Sequence, residues 1–230
     1  MSSYLKTVFT NMIFYERQRK PCRRSKVVTI NAISRNSITA SPGFCNKLSK
    51  SLRNTLQPYI RFLQQRRVQQ EFSACLQKWV SSNNSLGLRA ASQLPFIHGF
   101  DFNENSSVGD RWKIKFKVEP VATNLLELHI PAFIPWDTIA APVHTRQILC
   151  SITAASCNIL NPIEQGCSYY SFIIPYDNAP VPARIIPLSI PSSEGYLSIT
   201  TIGLQYELKN GKTYTRPAYT PCSIIDARYR

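Results

Sequence analysis

The residues of this chain with chemistry to offer are three histidines, seven cysteines and an unevenly placed set of cations. His98 stands three residues before Asp101 in HGFD, where a surface-turn hydrogen bond is the plainer reading than a catalytic dyad. His129 alternates with leucines and should sit on the outer face of a strand, and His144 follows Pro142 in a loop. The cysteines fall at 22, 45, 75, 150, 157, 167 and 222, with no CxxC and no Cys/His spacing that suits zinc. An odd number in a chain with this much core argues for buried free thiols in a reducing compartment. The pair Cys157 and Cys167 could meet across a loop. No G-x-S-x-G elbow, phosphate loop or dinucleotide fingerprint occurs, and the eight glycines are scattered. The thirteen acids include no close pair in a recognisable glycosidase context. No catalytic, cofactor or metal residue is assigned, and the expectation is a protein without enzymatic activity and without a cofactor. Cys–His partners can lie far apart in sequence, so an unrecognised enzyme stays as a third reading.

The cations carry more information. Residues 1–80 hold 15 Lys and Arg against 2 acids, whereas residues 81–230 hold 12 against 11. The basic character belongs to the first third alone, which suggests an arm or helical face that meets a polyanion or an acidic partner. Candidate contacts to DNA or RNA are Arg23 and Arg24 in RQRKPCRRSK, then Lys47, Lys50, Arg53, Arg61, Arg66 and Arg67. Arg61, Arg66 and Arg67 lie near Tyr59 and Phe62, the nearest approach to interleaved charge and aromatics. No helix-turn-helix glycine turn or RNA-recognition signature accompanies them. The plain reading of the same residues is a solvated surface.

These cations need elements to hold them. Residues 1–40 show no sustained period and read as a basic arm, with a short strand allowed over 27–38. Ser41-Pro42 offers a cap and a first helical proline. Phe44, Leu48 and Leu52 then form a stripe, with Lys47, Lys50 and Arg53 facing away, until Pro58. A second helix is expected from about Tyr59, or later, to Val80, its apolar side made of Val68, Phe72, Cys75, Leu76 and Trp79. Ser81 to Asn84 should close it. The pair, 41–84, is a helical hairpin whose apolar faces need a partner.

From residue 94 to 230 the pattern is β. Trp112, Ile114, Phe116 and Val118 alternate with Lys113, Lys115, Lys117 and Glu119, which predicts a strand ended by Pro120. Leu126, Leu128 and Ile130 predict its antiparallel neighbour. Further strands are expected at 147–155, 168–174, 183–190, 196–208 and 223–227, with a hairpin at Asn210-Gly211. Thirteen of the sixteen prolines lie beyond residue 90, which favours edge strands and bulges. The fold expected is α+β: a basic helical hairpin, then an antiparallel β-sandwich of immunoglobulin or fibronectin type with seven or eight strands. A small open barrel is the alternative. Its core should include Trp112, Ile114, Phe116, Leu126, Leu128, Ile130, Ile148, Cys150 and Ile152.

Three motifs stand out together: Gly99-Phe100-Asp101-Phe102-Asn103, His129 to Pro135 (HIPAFIP), and Leu204-Gln205-Tyr206 followed by Asn210-Gly211-Lys212-Thr213-Tyr214. With Phe44–Leu56 ahead of Gln57-Pro58, they make residues 41–225 resemble a family of uncharacterised proteins from Bacteroidota. The resemblance implies architecture and no activity. Members often begin with a glycine-rich segment, which the glycine-free residues 1–40 replace here.

The functional expectation is a non-catalytic binding or structural module whose sandwich surface or loops meet another protein. The alternative is binding of DNA or RNA through the basic third. The first twenty residues carry no apolar run of signal-peptide length, and no stretch reaches membrane-spanning length, so a cytoplasmic protein is expected. The sequence leaves the oligomeric state open.

Overall fold

The fold was obtained as a computed structural model, which describes residues 8–9, 12–13, 42–83, 94 and 96–230. Two short strands, β1 (Val8–Phe9) and β2 (Met12–Ile13), pair antiparallel. The rest of the basic arm, with Arg23, Arg24 and the strand expected at 27–38, lies outside the described residues, as does the Ser41 cap.

The helix α1 spans Pro42–Leu56 and α2 spans Arg66–Asn83. Pro58 ends the first helix as expected, but the second starts later than Tyr59. Tyr59 and Ile60 both return their N–H groups to Leu56 O, at 2.9 and 3.0 Å. Ile60 is extended, and Arg61–Gln64 forms a 3-10 turn before α2 begins. The second helix also runs on through Ser81 and Ser82, since turn-forming residues cost little in a last helical turn.

Seven strands follow in two antiparallel sheets. The three-stranded sheet has the order β3 (Lys117–Ala122), β4 (Leu125–Ile130), β7 (Arg184–Ser189). The four-stranded sheet has the order β6 (Gln165–Pro175), β5 (Thr145–Asn158), β8 (Tyr196–Leu208), β9 (Cys222–Tyr229). Leu126, Leu128 and Ile130 of β4 meet Ile148, Cys150 and Ile152 of β5 in one buried cluster that also holds Trp112, with Ile114 and Phe116 at its margin.

The alternation of Trp112 to Glu119 is only partly a strand. Val108–Arg111 is a short helix, α3, capped by Ser107, and Trp112 makes a lone bridge to Ile139. Trp112 N–H returns to Val108 O and Lys113 N–H goes to Thr138 O. These groups have no neighbouring strand, and a regular ladder starts only at Lys117. Pro120 sits inside β3 rather than ending it. β3 is an edge strand with a register shift between Pro120 and Ala122, where a missing N–H costs no ladder bond.

Both sheets have edges to close. Asp226 and Arg228 of β9 form an ion pair of 2.6 Å with each residue less than a tenth exposed. Arg228 also donates to Val118 O of β3 at 2.8 Å, joining the edges of the two sheets. Leu94 and residues 96–102 run along the other side of β9, bonding through Leu94, Gly99, Phe100 and Phe102.

The helix pair covers part of the outer face of the four-stranded sheet. Leu48, Leu52, Phe72 and Leu76 share a second core with Ala155, Cys157, Leu197, Ile199 and Ile224. Burial along β5 shows the consequence. It alternates from Gln147 to Ile152, then is unbroken from Ile152 to Cys157 where helices lie above. The six described cysteines are all free, so Cys157 and Cys167 form no bridge; the register sets Cys167 opposite Ala155. No helix of the described residues is long and apolar enough to cross a membrane.

Candidate functional sites: helix-pair cations, a cleft and a loop end

The cations expected to work together are distributed over separate places. Lys47 and Lys50 are exposed on α1. Arg53 and Arg66 line an open groove of about 360 Å³ between the helices, together with Gln69, Gln70, Ser73 and Gln77. Arg53 is held there: its Nε donates to Ser49 O at 3.2 Å and a terminal nitrogen to Gln69 Oε1 at 2.7 Å. Arg67 points elsewhere and is paired with Glu71 at 2.9 Å and Glu104 at 2.8 Å. Arg61 stands apart on the 3-10 turn.

Arg61 lines a larger cleft, of about 540 Å³, which sequence reasoning missed. One wall is the linker Tyr59–Gln65, which overhangs the sheet because Pro58 turns the chain out of α1. The floor is Ser151 of β5 and Gly203 of β8. A Cβ at position 203 would come within 2.9 Å of Ser151 Oγ, so the bare glycine keeps the floor open. The opposite wall is the loop Thr213–Pro221. Buried Asn103 fixes that loop by donating to Pro217 O at 2.6 Å and Thr220 O at 2.9 Å. Arg111 stacks 4.1 Å above the Tyr219 ring and donates to Ala218 O at 2.6 Å. One signal for the cleft was present in the sequence: the outward positions of β8 read Leu197, Ile199, Thr201, Gly203, Gln205. They change from apolar to small and polar where the helices end.

At one end of the two sheets, three inter-strand loops are tied together. The β4–β5 loop carries α4 (Pro135–Thr138), and Trp136 stacks on Tyr176 of the β6–β7 loop at 5.4 Å. Trp136 N–H donates to Asp177 O, and Phe133 pairs with Val181. Lys209 N–H, at the start of the β8–β9 loop, donates to His144 O. The Tyr176 and Tyr206 hydroxyls donate to Ile139 O and Ala140 O. Trp136 is nevertheless 60% exposed and Val143 79% exposed.

Four of the six described thiols are buried, Cys75 is half-buried and Cys167 is exposed. Burial pushes the Cys157 and Cys222 thiols up to about 12, and Cys150 higher still, so they stay protonated and act as small apolar groups. Asp101 accepts a hydrogen bond from Ser223 Oγ, which in turn receives Val108 N–H at 2.9 Å. His129 lies on the outer face of β4, 3.3 Å from Glu119 and 3.5 Å from Glu127. No group of three metal-ligating side chains is present among the described residues. No family model matches the chain, and neither does any curated protein or solved structure.

Proposed function

We propose that this chain is a non-catalytic module that binds another protein through the loop end of a fibronectin-like β-sandwich. The observation that carries this is the exposed Trp136, stacked on Tyr176, with exposed Val143 in the same β4–β5 loop, on loops that are otherwise tied down. Rigid, half-exposed aromatics are the residues that dominate binding energy at protein interfaces. Immunoglobulin-type sandwiches gather their loops at the two ends, where their variable domains bind. The fibronectin-like reading rests on strand order. The first, second and fifth of the seven strands make one sheet, and the fourth, third, sixth and seventh make the other. The fourth strand pairs with the third, whereas the immunoglobulin constant arrangement puts it beside the fifth.

We also take the chain to belong with the uncharacterised Bacteroidota proteins that it resembles. The motifs that carry the resemblance have defined places here: GFDFN lines the edge of β9, HIPAFIP ends β4 and enters α4, and Asn210-Gly211 turns the hairpin, with Gly211 at φ +77.

The test is capture of proteins from cells that make this chain, by wild type and by Trp136→Ala. A defined protein held by wild type and lost from a stably folded Trp136→Ala chain supports the reading. Identical captures by both chains, or nucleic acid as the sole material retained, would overturn it.

Polyanion binding is the second reading. Residues 42–83 carry seven Lys and Arg with Glu71 as the one acid, and within that set only Arg67 has an ion pair among the described residues. Binding to DNA or RNA would release counterions, giving a linear fall of log affinity with log salt. Arg23, Arg24, Arg53 and Arg66 changed to Ala should flatten that slope. Arg67→Ala should not, because its charge is already neutralised.

A further inference from the structure

The cleft beneath the helix linker has a composition that narrows what it can hold. None of its lining residues is Asp or Glu, so it offers no opposite charge to a cationic ligand. Arg61 is its only charge, and no described carboxylate pairs with Arg61. A polyphosphate would need several cations, whereas one arginine suits one negative charge. A carboxylate fits best, because the guanidinium fork matches it with two parallel hydrogen bonds. Gln64, Gln65 and Gln205 are among the lining residues, and a carboxamide carries both donor and acceptor, as a peptide group does. Phe62 and Tyr214 add half-buried aromatic surface. The volume, about 540 Å³, lies inside the range of about 300–1,000 Å³ usual for ligand sites. The wall opposite Arg61 is preset by Asn103, so it need not be ordered when a ligand enters.

We propose that this cleft binds a short extended peptide that presents a carboxylate, with Arg61 as its receptor and the glutamine side chains pairing its backbone. The inference rests on the protein-binding reading and gives it a second contact: a surface docks at the loop end, and a peptide segment enters the cleft.

The test uses the full chain and random hexapeptide libraries. One library has a free C-terminal carboxylate and omits Asp and Glu. A second is C-terminally amidated and contains them, and a third is amidated and lacks them. Enrichment from the first library assigns the carboxylate to a chain end, and enrichment from the second to a side chain. The third library should give nothing. Arg61→Ala should weaken the enriched peptide about tenfold or more, and Gln205→Ala less; both residues are exposed, so the fold should tolerate either change. Trp136→Ala should leave peptide binding unchanged. Enrichment from none of the libraries, equal enrichment from the third, or full affinity in Arg61→Ala would each overturn the proposal. Loss of the captured partner in Trp136→Ala with peptide binding intact supports two separate contacts. No peptide binding alongside a Trp136-dependent partner removes the cleft and leaves the loop-end reading standing.

Discussion

The inner and outer faces of the four-stranded sheet carry side chains at the same period-two spacing but meet different neighbours. The inner face packs against a second sheet along its length, and Ile148, Cys150, Ile152, Ile202 and Leu204 are all buried there. The outer face is covered by α1 and α2 with the linker and the segment beside β9, which share a core with Ala155, Cys157, Leu197 and Ile199. Beyond the helices the same strands offer Ser151, Gly203 and Gln205 to an open cleft. One face is thus wholly given to stability. The other is divided between stability and an opening, and the division falls where the helix pair ends.

The largest expected effects break the comparison at its two cores. Phe72→Ala on the helix side and Phe172→Ala on the inner side should each cost about 3–5 kcal/mol, because both truncate fully buried aromatics. Trp79 reports the helix-side core and Trp112 the inner core. With Trp136 replaced by Phe to remove the exposed signal, denaturant curves of single-tryptophan variants should coincide. Two separate midpoints would mean that the helix pair unfolds on its own.

Asp226→Ala tests how the sheet edges are joined. It leaves Arg228 buried without its charge partner, and a loss of about 3–5 kcal/mol is expected in chemical denaturation. Replacing both residues by apolar ones of similar size should recover most of that loss. A single substitution no worse than a surface change would show that the edge stays closed without the pair.

A smaller effect should come from Asn103→Ala, which removes a buried amide's ties to Pro217 O and Thr220 O. About 0.5–1.5 kcal/mol is expected for each bond. Hydrogen exchange should rise in the loop Thr213–Pro221 more than in the inner core, since that wall belongs to the open part of the outer face.

The smallest effect concerns Asp101. Burial raises its carboxyl above the ordinary carboxylate value, against the opposing hydrogen bond from Ser223. The folded chain therefore holds the carboxyl proton more tightly than the unfolded chain does. Its contribution to stability is full below the unfolded value and is lost as pH rises through the raised folded value. Asp101→Asn keeps an acceptor for Ser223 and removes the buried charge. Its stability relative to wild type should grow as pH is raised from the acid side through that window to neutrality. A relative stability that falls over the same window would contradict the raised carboxyl.

Much of this architecture was legible in the sequence because it depends on local periodicity. The stripe of Leu48, Leu52, Phe72 and Leu76 marked the helices, and the alternation of Leu126, Leu128 and Ile130 marked β4. Asn210-Gly211 marked the hairpin. The alternation from Trp112 misled, since period-two burial needs only an extended chain over a core, whereas a strand also needs a neighbour for its backbone. The cations were legible as a set but not as a place. Sequence spacing put Arg66 and Arg67 side by side; Glu104, far along the chain, takes one of them and leaves the other in the groove.

Composition and period alone determined which third of the chain is basic, which residues are apolar enough to be interior, and that the elements run helix, helix, then strands. These are properties of short windows, set by side-chain type and backbone geometry. Tertiary structure decided how far along β5 and β8 the helices reach, and therefore which outward residues became core and which became the floor of a cleft. It also decided that Trp136 meets Tyr176 across two loops. Both depend on residues many tens of positions apart, and only the packing of whole elements brings such residues together.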